Sequence, residues 1–257
     1  MKTELHASHI KAAILDRGQT VEQSEISMAH MHLAITTPRQ ATPAMRWSTV
    51  LHAAILQPET IAVFDGRRAG KAWTDFLAEH PGKLAISAAE NDRIGQARTV
   101  FGARSGLDVT AFARELSISA ESCAGPLGGR LDLCSASSVW DLKTTGRISR
   151  RMVASAVYSA GSDIQMAVYR YLASQHWGFE PATFGLVLLE SSAPWSCYRV
   201  ELTTGQLDQA WEYALEIVRM YRACEVCGTY PQAVTGCIQW EPPTWATQAD
   251  FTPGEEK

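Results

Sequence analysis

No apolar run in this chain approaches the roughly 20 residues that a membrane-spanning helix needs. The first nine residues, MKTELHASH, carry no apolar core of the kind found in a secretory signal. Both absences lead to the expectation of a cytoplasmic protein with no membrane partner and with reduced thiols. Internal repeats and low-complexity linkers are also missing, so one domain is expected over the whole chain. An excess of positive charge is lacking too: the net charge is −4. That argues against a protein that coats polyanions indiscriminately, but a local basic track remains compatible with it. Six cysteines are present, yet none precedes Cys123. The spacing Cys224-x2-Cys227 with Cys237 gives three of the four ligands of a closed zinc or iron–sulfur site. Without a fourth, the cysteines read as small apolar residues, with Cys123, Cys134 and Cys197 falling in expected strands.

What is present is a chain of 257 residues, 46% of them apolar, enough to bury a full core. Residues 1–110 read as mainly helical, with apolar spacing through Ser48–Leu56 and Ala89–Phe101. Residues 111–222 read as a core of three strands near 116–123, 128–134 and 138–143, a helix over 162–176, strands over 184–190 and 197–202, and an amphipathic helix over 207–222. Pro242 and Pro243 close regular structure, and residues 223–257 are expected to be an irregular tail. The fold class expected is α/β (α+β), a mixed sheet flanked by helices.

The densest chemistry lies on the second and third strands, Gly129-Arg130-Leu131-Asp132 and Val139-Trp140-Asp141-Leu142-Lys143. If Cys134 pairs with Val139, Asp132 falls opposite Asp141, with Cβ atoms about 5 Å apart. Like charges so placed are destabilising, and a cation between them turns the pair into ligands. Lys143 shares the face of Asp141, while Leu142 and Trp140 point into the core. Two acids and a lysine converging on one face are the makings of a metal-dependent phosphodiester-cleaving site. A turn at Gly125-Pro126-Leu127-Gly128 would also set Glu121 opposite Asp132, and a slip of one residue would send it to the other face.

Other residues admit two readings. His52 lies on an apolar helix, where a lone histidine is ordinarily packed or at the surface. Gln165 and Tyr169 are four apart and share a helix face, which is either partly buried structure or part of a site. Arg147, Arg150 and Arg151 follow the Asp141–Lys143 strand, and Arg67, Arg68 and Lys71 lie earlier. These six are candidate phosphate contacts or, more plainly, solvated charges. The N-terminal cations Lys2, Lys11 and Arg17 are tied to no motif.

Taken together, the chain resembles the PD-(D/E)xK nucleases, specifically the exonuclease VIII-like phage and prophage recombination exonucleases, from about Ile26 to Ala246. The resemblance rests on Asp132 with Asp141-Leu142-Lys143, and on Leu51-His52-Ala53-Ala54-Ile55-Leu56-Gln57-Pro58-Glu59. It also rests on Arg67-Arg68-Ala69-Gly70-Lys71-Ala72-Trp73, Gln165-Met166-Ala167-Val168-Tyr169, Tyr230-Pro231 and Pro243-Thr244-Trp245-Ala246. It implies a restriction-endonuclease-like fold and one or two Mg²⁺ or Mn²⁺ ions held by Asp132, Asp141 and the Leu142 backbone carbonyl, with His52 and Glu121 completing the shell. It implies that Lys143 is catalytic and that Gln165 and Tyr169 bind the DNA backbone or orient Lys143. Beyond the site it implies 5′→3′ digestion of double-stranded DNA ends, a single-strand annealing recombinase as partner, a ring-like homo-oligomer and a bacterial or phage-infected host cell. Two rivals stand beside it: another nuclease of the superfamily, either structure-selective or a cluster-containing single-strand nuclease, or a DNA-end-binding module without turnover.

Overall fold

The computed structural model describes residues 3–38 and 40–233. The elements run β1 (Leu5–His6), α1 (Ala7–Ala13), β2 (Ile14–Asp16), β3 (Glu25–Ile26), α2 (Met28–Thr36), α3 (Pro43–Leu56), β4 (Ile61–Phe64), α4 (Gly70–Glu79), β5 (Leu84–Ser87) and α5 (Ala88–Ser105). Then come β6 (Ala113–Ser122), β7 (Gly125–Cys134), β8 (Ser138–Thr145), α6 (Arg150–Ala154) with a wider π turn over Ser155–Ser159, α7 (Ser162–Trp177), β9 (Thr183–Glu190), β10 (Cys197–Glu201) and α8 (Thr204–Cys227). No helix among the described residues is long and apolar enough to cross a membrane.

The central sheet is mixed and runs β6, β7, β8, β9, β10, with β1 added in parallel against β7. β8 and β9 are parallel, joined through α7. The β9 segment Thr-Phe-Gly-Leu-Val-Leu-Leu-Glu is apolar on both faces, as a strand covered on both sides must be. Phe184, Leu186 and Leu188 face one apolar cluster with α1, α2, α7 and α8, while Val187 and Leu189 face a second with α3 and α5. Trp140 and Leu142 pack with the second cluster, as the alternation along β8 predicts.

The N-terminal region departs from the helical expectation. It holds the parallel pair β4–β5 bridged by α4, besides β1, β2 and β3. Strands of two to four residues are too short for alternation to register in the sequence. α8 runs to Cys227, where Gly228 caps it at φ 69°, so helix extends past the boundary expected at residue 222. The β6–β7 turn is also displaced: Ser122 pairs with Gly125, leaving Cys123 and Ala124 as the loop. Cys123 is exposed there, against the expectation of a core residue, whereas Cys134 and Cys197 are buried. Cys237 and the Pro243–Ala246 motif lie outside the described residues.

Gly128 and Gly129 are therefore interior to β7 rather than in a turn. A Cβ on Gly129 would sit 2.9 Å from Tyr169 Cε1 and from Leu172 Cδ1. β7 needs glycine there because α7 crosses it at close range. Gly129→Ala should accordingly lower stability by about 1–3 kcal/mol through overpacking, measured by urea denaturation. A variant as stable as the parent would show that this crossing has slack.

Candidate active site

β6 lines one edge of β7 along its length, so β1 and β8 must share the other edge. β1 takes Leu127 and Gly128, and β8 takes Leu133 and Cys134. The β7–β8 pairing is the expected one, Cys134 with Val139 and Leu133 with Trp140, and it stops there. Residues 129–132 of β7 are left with an open edge at a fork. Side chains satisfy the freed backbone groups: the Leu142 N–H donates to Asp132 Oδ2 at 2.8 Å, and Tyr169 Oη donates to the Arg130 carbonyl at 2.8 Å.

A cleft of about 600 Å³ opens at this fork. Asp132, Asp141, Lys143, Gln165, Tyr169 and His52 all line it, so the structure brings these six sequence-predicted residues together. Lys143 Nζ lies 2.6 Å from Asp141 Oδ2 and donates to Gln165 Oε1 at 3.0 Å. Gln165 Nε2 donates to Asp141 Oδ1 at 2.9 Å and to Tyr169 Oη at 2.8 Å. α3 supplies His52: Thr42 caps the helix, its Val50–Leu51 and Ala54–Leu56 side packs into the second cluster, and Ser48, Thr49, His52 and Ala53 face the cleft.

Glu121 is not part of this group. It pairs with Pro126, six residues along β7 from Asp132, or roughly 20 Å at strand rise. The expected register failed because Gly128-Gly129 is a packing feature and not turn chemistry. The acid that faces Asp132 is Glu115, between the pairs Arg114–Leu133 and Leu116–Leu131. Glu115 adopts φ 52°, rare and strained for a residue with a side chain. Ligand atoms of His52, Glu115 and Asp132 lie within 4.8 Å of one another. Nothing in the sequence separates Glu115 from other strand acids; only the β6–β7 register would have found it.

Electrostatics single out the same atoms. Burial, then the charge of Asp141, raises the Asp132 carboxyl well above the usual carboxylate range, against the Leu142 hydrogen bond and Lys143. Burial holds the His52 imidazole down to about 4, with Asp141 opposing and Lys143 and Arg130 reinforcing, so His52 is neutral near pH 7. Burial opposes the Lys143 charge, but the field and close contact of the Asp141 carboxylate, and then Asp132, raise this lysine overall. It keeps its proton. Asp141 Oδ2 and Glu115 Oε2 are buried without a hydrogen bond, although each lies 2.6 Å from a cationic nitrogen, on Lys143 and on Arg130 respectively. The ion-pair distances are short, but neither pair has hydrogen-bond geometry. The neutral His52 imidazole, the clustered Glu115 and Asp132 carboxylates and the buried Asp141 Oδ2 form a donor set that fits a divalent cation.

The six predicted DNA-contacting cations are exposed, and none lines the cleft. Arg68 is engaged by Glu90, as is Arg46. Arg147 sits near the buried Glu190, whose carboxyl accepts from Ile148 N–H and Ser196 N–H. Arg150 opens α6 and lines a separate groove with Tyr158 and Tyr213. The cations the structure does bring near the centre are Arg130, on the cleft wall, and Lys11, whose Nζ donates to Gln165 Oε1 at 3.2 Å. Arg17, equally unassigned by sequence, makes a two-pronged ion pair with Asp163 at 2.7 and 2.8 Å that ties β2 to the start of α7. Cys224 and Cys227 share the last turn of α8; the described residues hold no metal-ligand group of three or more other than His52, Glu115 and Asp132.

The sequence matches no known family model, and no curated protein matches it. Among solved structures it is similar to that of a "putative exonuclease" from Eubacterium rectale, with a TM-score of 0.62 over 96% of this chain and 93% of that one, at 12% identity. At that identity the likeness speaks for the fold alone. The fold is the restriction-endonuclease-like mixed sheet flanked by helices that the sequence led us to expect.

A carboxyl with a raised folded-state pKa favours the fold most below its unfolded value near 3.9. That contribution is lost as pH climbs through the folded value. With no cation bound, Asp132 therefore works against the fold at neutral pH. Asp132→Asn should leave the cation-free melting temperature at pH 7.5 equal or raised, and should abolish the rise that millimolar Mn²⁺ gives the parent. A cation-free melt well below the parent's would instead make Asp132 a structural residue.

Proposed function

We propose that the protein is a divalent-metal-dependent deoxyribonuclease of the exonuclease VIII-like kind, acting on the ends of linear double-stranded DNA. The observation that carries this reading is the fork: His52, Glu115 and Asp132 share one wall, while Asp141, Lys143 and Gln165 form a bonded set on the other. Asp132, Glu115, His52, Asp141 and the Leu142 carbonyl would hold one or two ions. Mn²⁺ suits the imidazole nitrogen better than Mg²⁺, which prefers oxygen. When bound, the metal supplies Lewis-acid chemistry, activating water and offsetting charge on the departing oxygen.

The chain's own residues do the rest. Lys143 presents a fixed ammonium beside Asp141, placed to offset the charge that grows on a phosphoryl centre in the cleft. Its part is to orient the attacking water and offset developing charge. Gln165 fixes the direction of both Asp141 and Lys143, and Tyr169 anchors Gln165 to β7 through the Arg130 carbonyl. Arg67, Lys71, Arg147, Arg150 and Arg151 are left to grip the duplex further from the centre. The same reading carries a 5′→3′ direction, a single-strand annealing partner and a ring-like assembly.

Linear duplexes labelled at one end or the other test this directly. Label should be released from the 5′ end with Mg²⁺ or Mn²⁺ and retained in EDTA. A protein that releases neither label under any divalent cation is not this enzyme. Release from the 3′ end alone would reverse the direction, and preference for single strands would favour the rival nuclease class.

The two acids of the β6 strand give a sharper test. Glu115→Gln should reduce turnover by about 10²-fold or more and weaken Mn²⁺ binding, while Glu121→Gln should match the parent in both. Lys143→Ala should retain Mn²⁺ binding by calorimetry and lose about 10²–10³-fold in turnover. An inactive Glu121→Gln beside a fully active Glu115→Gln would overturn the register on which the ligand set rests.

A further inference from the structure

α1 enters the site with its first turn, since Ala7 and Ser8 line the cleft. Lys11 follows one turn later on the same helix face; it does not itself line the cleft, but its side chain reaches Gln165, which does. Its ammonium ends on Gln165 Oε1 at 3.2 Å, the oxygen that also accepts from Lys143 Nζ at 3.0 Å. A carboxamide oxygen has two lone pairs, and here both are engaged by lysines. The Gln165 nitrogen is committed to Asp141 and Tyr169. One neutral side chain thus holds two like charges side by side.

The arrangement does not stabilise the fold by itself. Burial and then Lys143 work against the charge on Lys11 and bring its pKa down to about 8, with Asp141 and Asp163 opposing. The other two cations near the centre are already matched with carboxylates, Lys143 with Asp141 and Arg130 with Glu115, each at 2.6 Å. Lys11 differs: its hydrogen bond among the described residues is to the neutral Gln165 oxygen. It can move to an arriving anion without leaving a carboxylate unpaired. A DNA strand approaching Asp132, Asp141 and Glu115 meets three carboxylates, and Lys11 is a cation near them that can turn toward its phosphates without breaking an ion pair, unlike Lys143 and Arg130.

We propose that Lys11 is a second phosphate-binding residue of the cleft, held on Gln165 beside Lys143 until a backbone phosphate of DNA takes its ammonium. The proposal deepens the nuclease reading above and rests on it for the identity of the anion. Lys11→Met keeps the aliphatic stem and removes the charge, and Lys11→Arg keeps the charge.

The test uses the full chain and a short blunt-ended duplex in EDTA, where affinity is measured across a range of salt without turnover. The slope of log affinity against log salt should be smaller by about 0.9 in Lys11→Met, as for one lost phosphate contact. It should be unchanged in Lys11→Arg, and the melting temperature of Lys11→Met should stay equal or rise. A parental slope in Lys11→Met overturns the proposal. So does an equal loss of slope in both variants accompanied by a lower melting temperature, which would make Lys11 a structural residue. A parent protein that binds duplex but cuts none with Mg²⁺ or Mn²⁺ removes the nuclease reading and leaves the Lys11 contact to be judged on its slope. A parent that binds no duplex removes both.

Discussion

The separation of β8 from β7 beyond Leu133 and Trp140 is the constraint on which the rest of the site depends. Continued pairing would press Asp132 against Asp141, two carboxylates with little water to screen them. By parting, the strands give each acid its own partner: Asp132 takes a backbone N–H from the opposite strand, and Asp141 takes Gln165 and Lys143. The split costs ladder hydrogen bonds. Side chains offset that loss, and the space between the strands becomes the cleft. α3 and α7 are placed by packing on opposite faces of the sheet, so His52 and Gln165 reach the same opening from opposite sides.

Without a bound cation the site is a store of unfavourable electrostatics. Asp132 is driven toward its neutral form, His52 is held neutral, and Glu115 is both strained in its backbone and short of hydrogen bonds. None of this improves packing. Such a set persists because the surrounding core fixes it: Leu131, Leu133, Leu142 and Val187 are all fully buried next to it. Stability elsewhere holds a local arrangement that costs free energy where it stands.

Much of this was legible from sequence, and the reasons are specific. The hairpin register was readable because Ser135–Ser138 is a compact polar turn that leaves few alternatives between Cys134 and Val139. Trp140, Leu142, Asp141 and Lys143 then sorted themselves by alternation alone. Gln165 and Tyr169 share a helix face by their i, i+4 spacing, and it was the resemblance that gave the pair a role. Glu115 was hidden because its position depends on where the β6–β7 turn falls. Gly125-Pro126 and Gly128-Gly129 looked like that turn, while serving as strand residues crossed closely by Tyr169, Leu172 and Glu4. Lys11 and Arg17 were hidden for a different reason. Their partners are about 150 positions away, and no local pattern encodes so distant a contact.

Distance along the chain has a further consequence during synthesis. The acids of β6, β7 and β8 leave the ribosome before α7 does, and until Gln165 and Tyr169 follow, nothing orients Asp141 or Lys143. The N-terminal helix must in turn wait for α7, because Gln165 and Asp163 are what Lys11 and Arg17 hold. A growing chain therefore carries these groups apart, and their mutual hydrogen bonds can form only once the helix that follows β8 lies on the sheet.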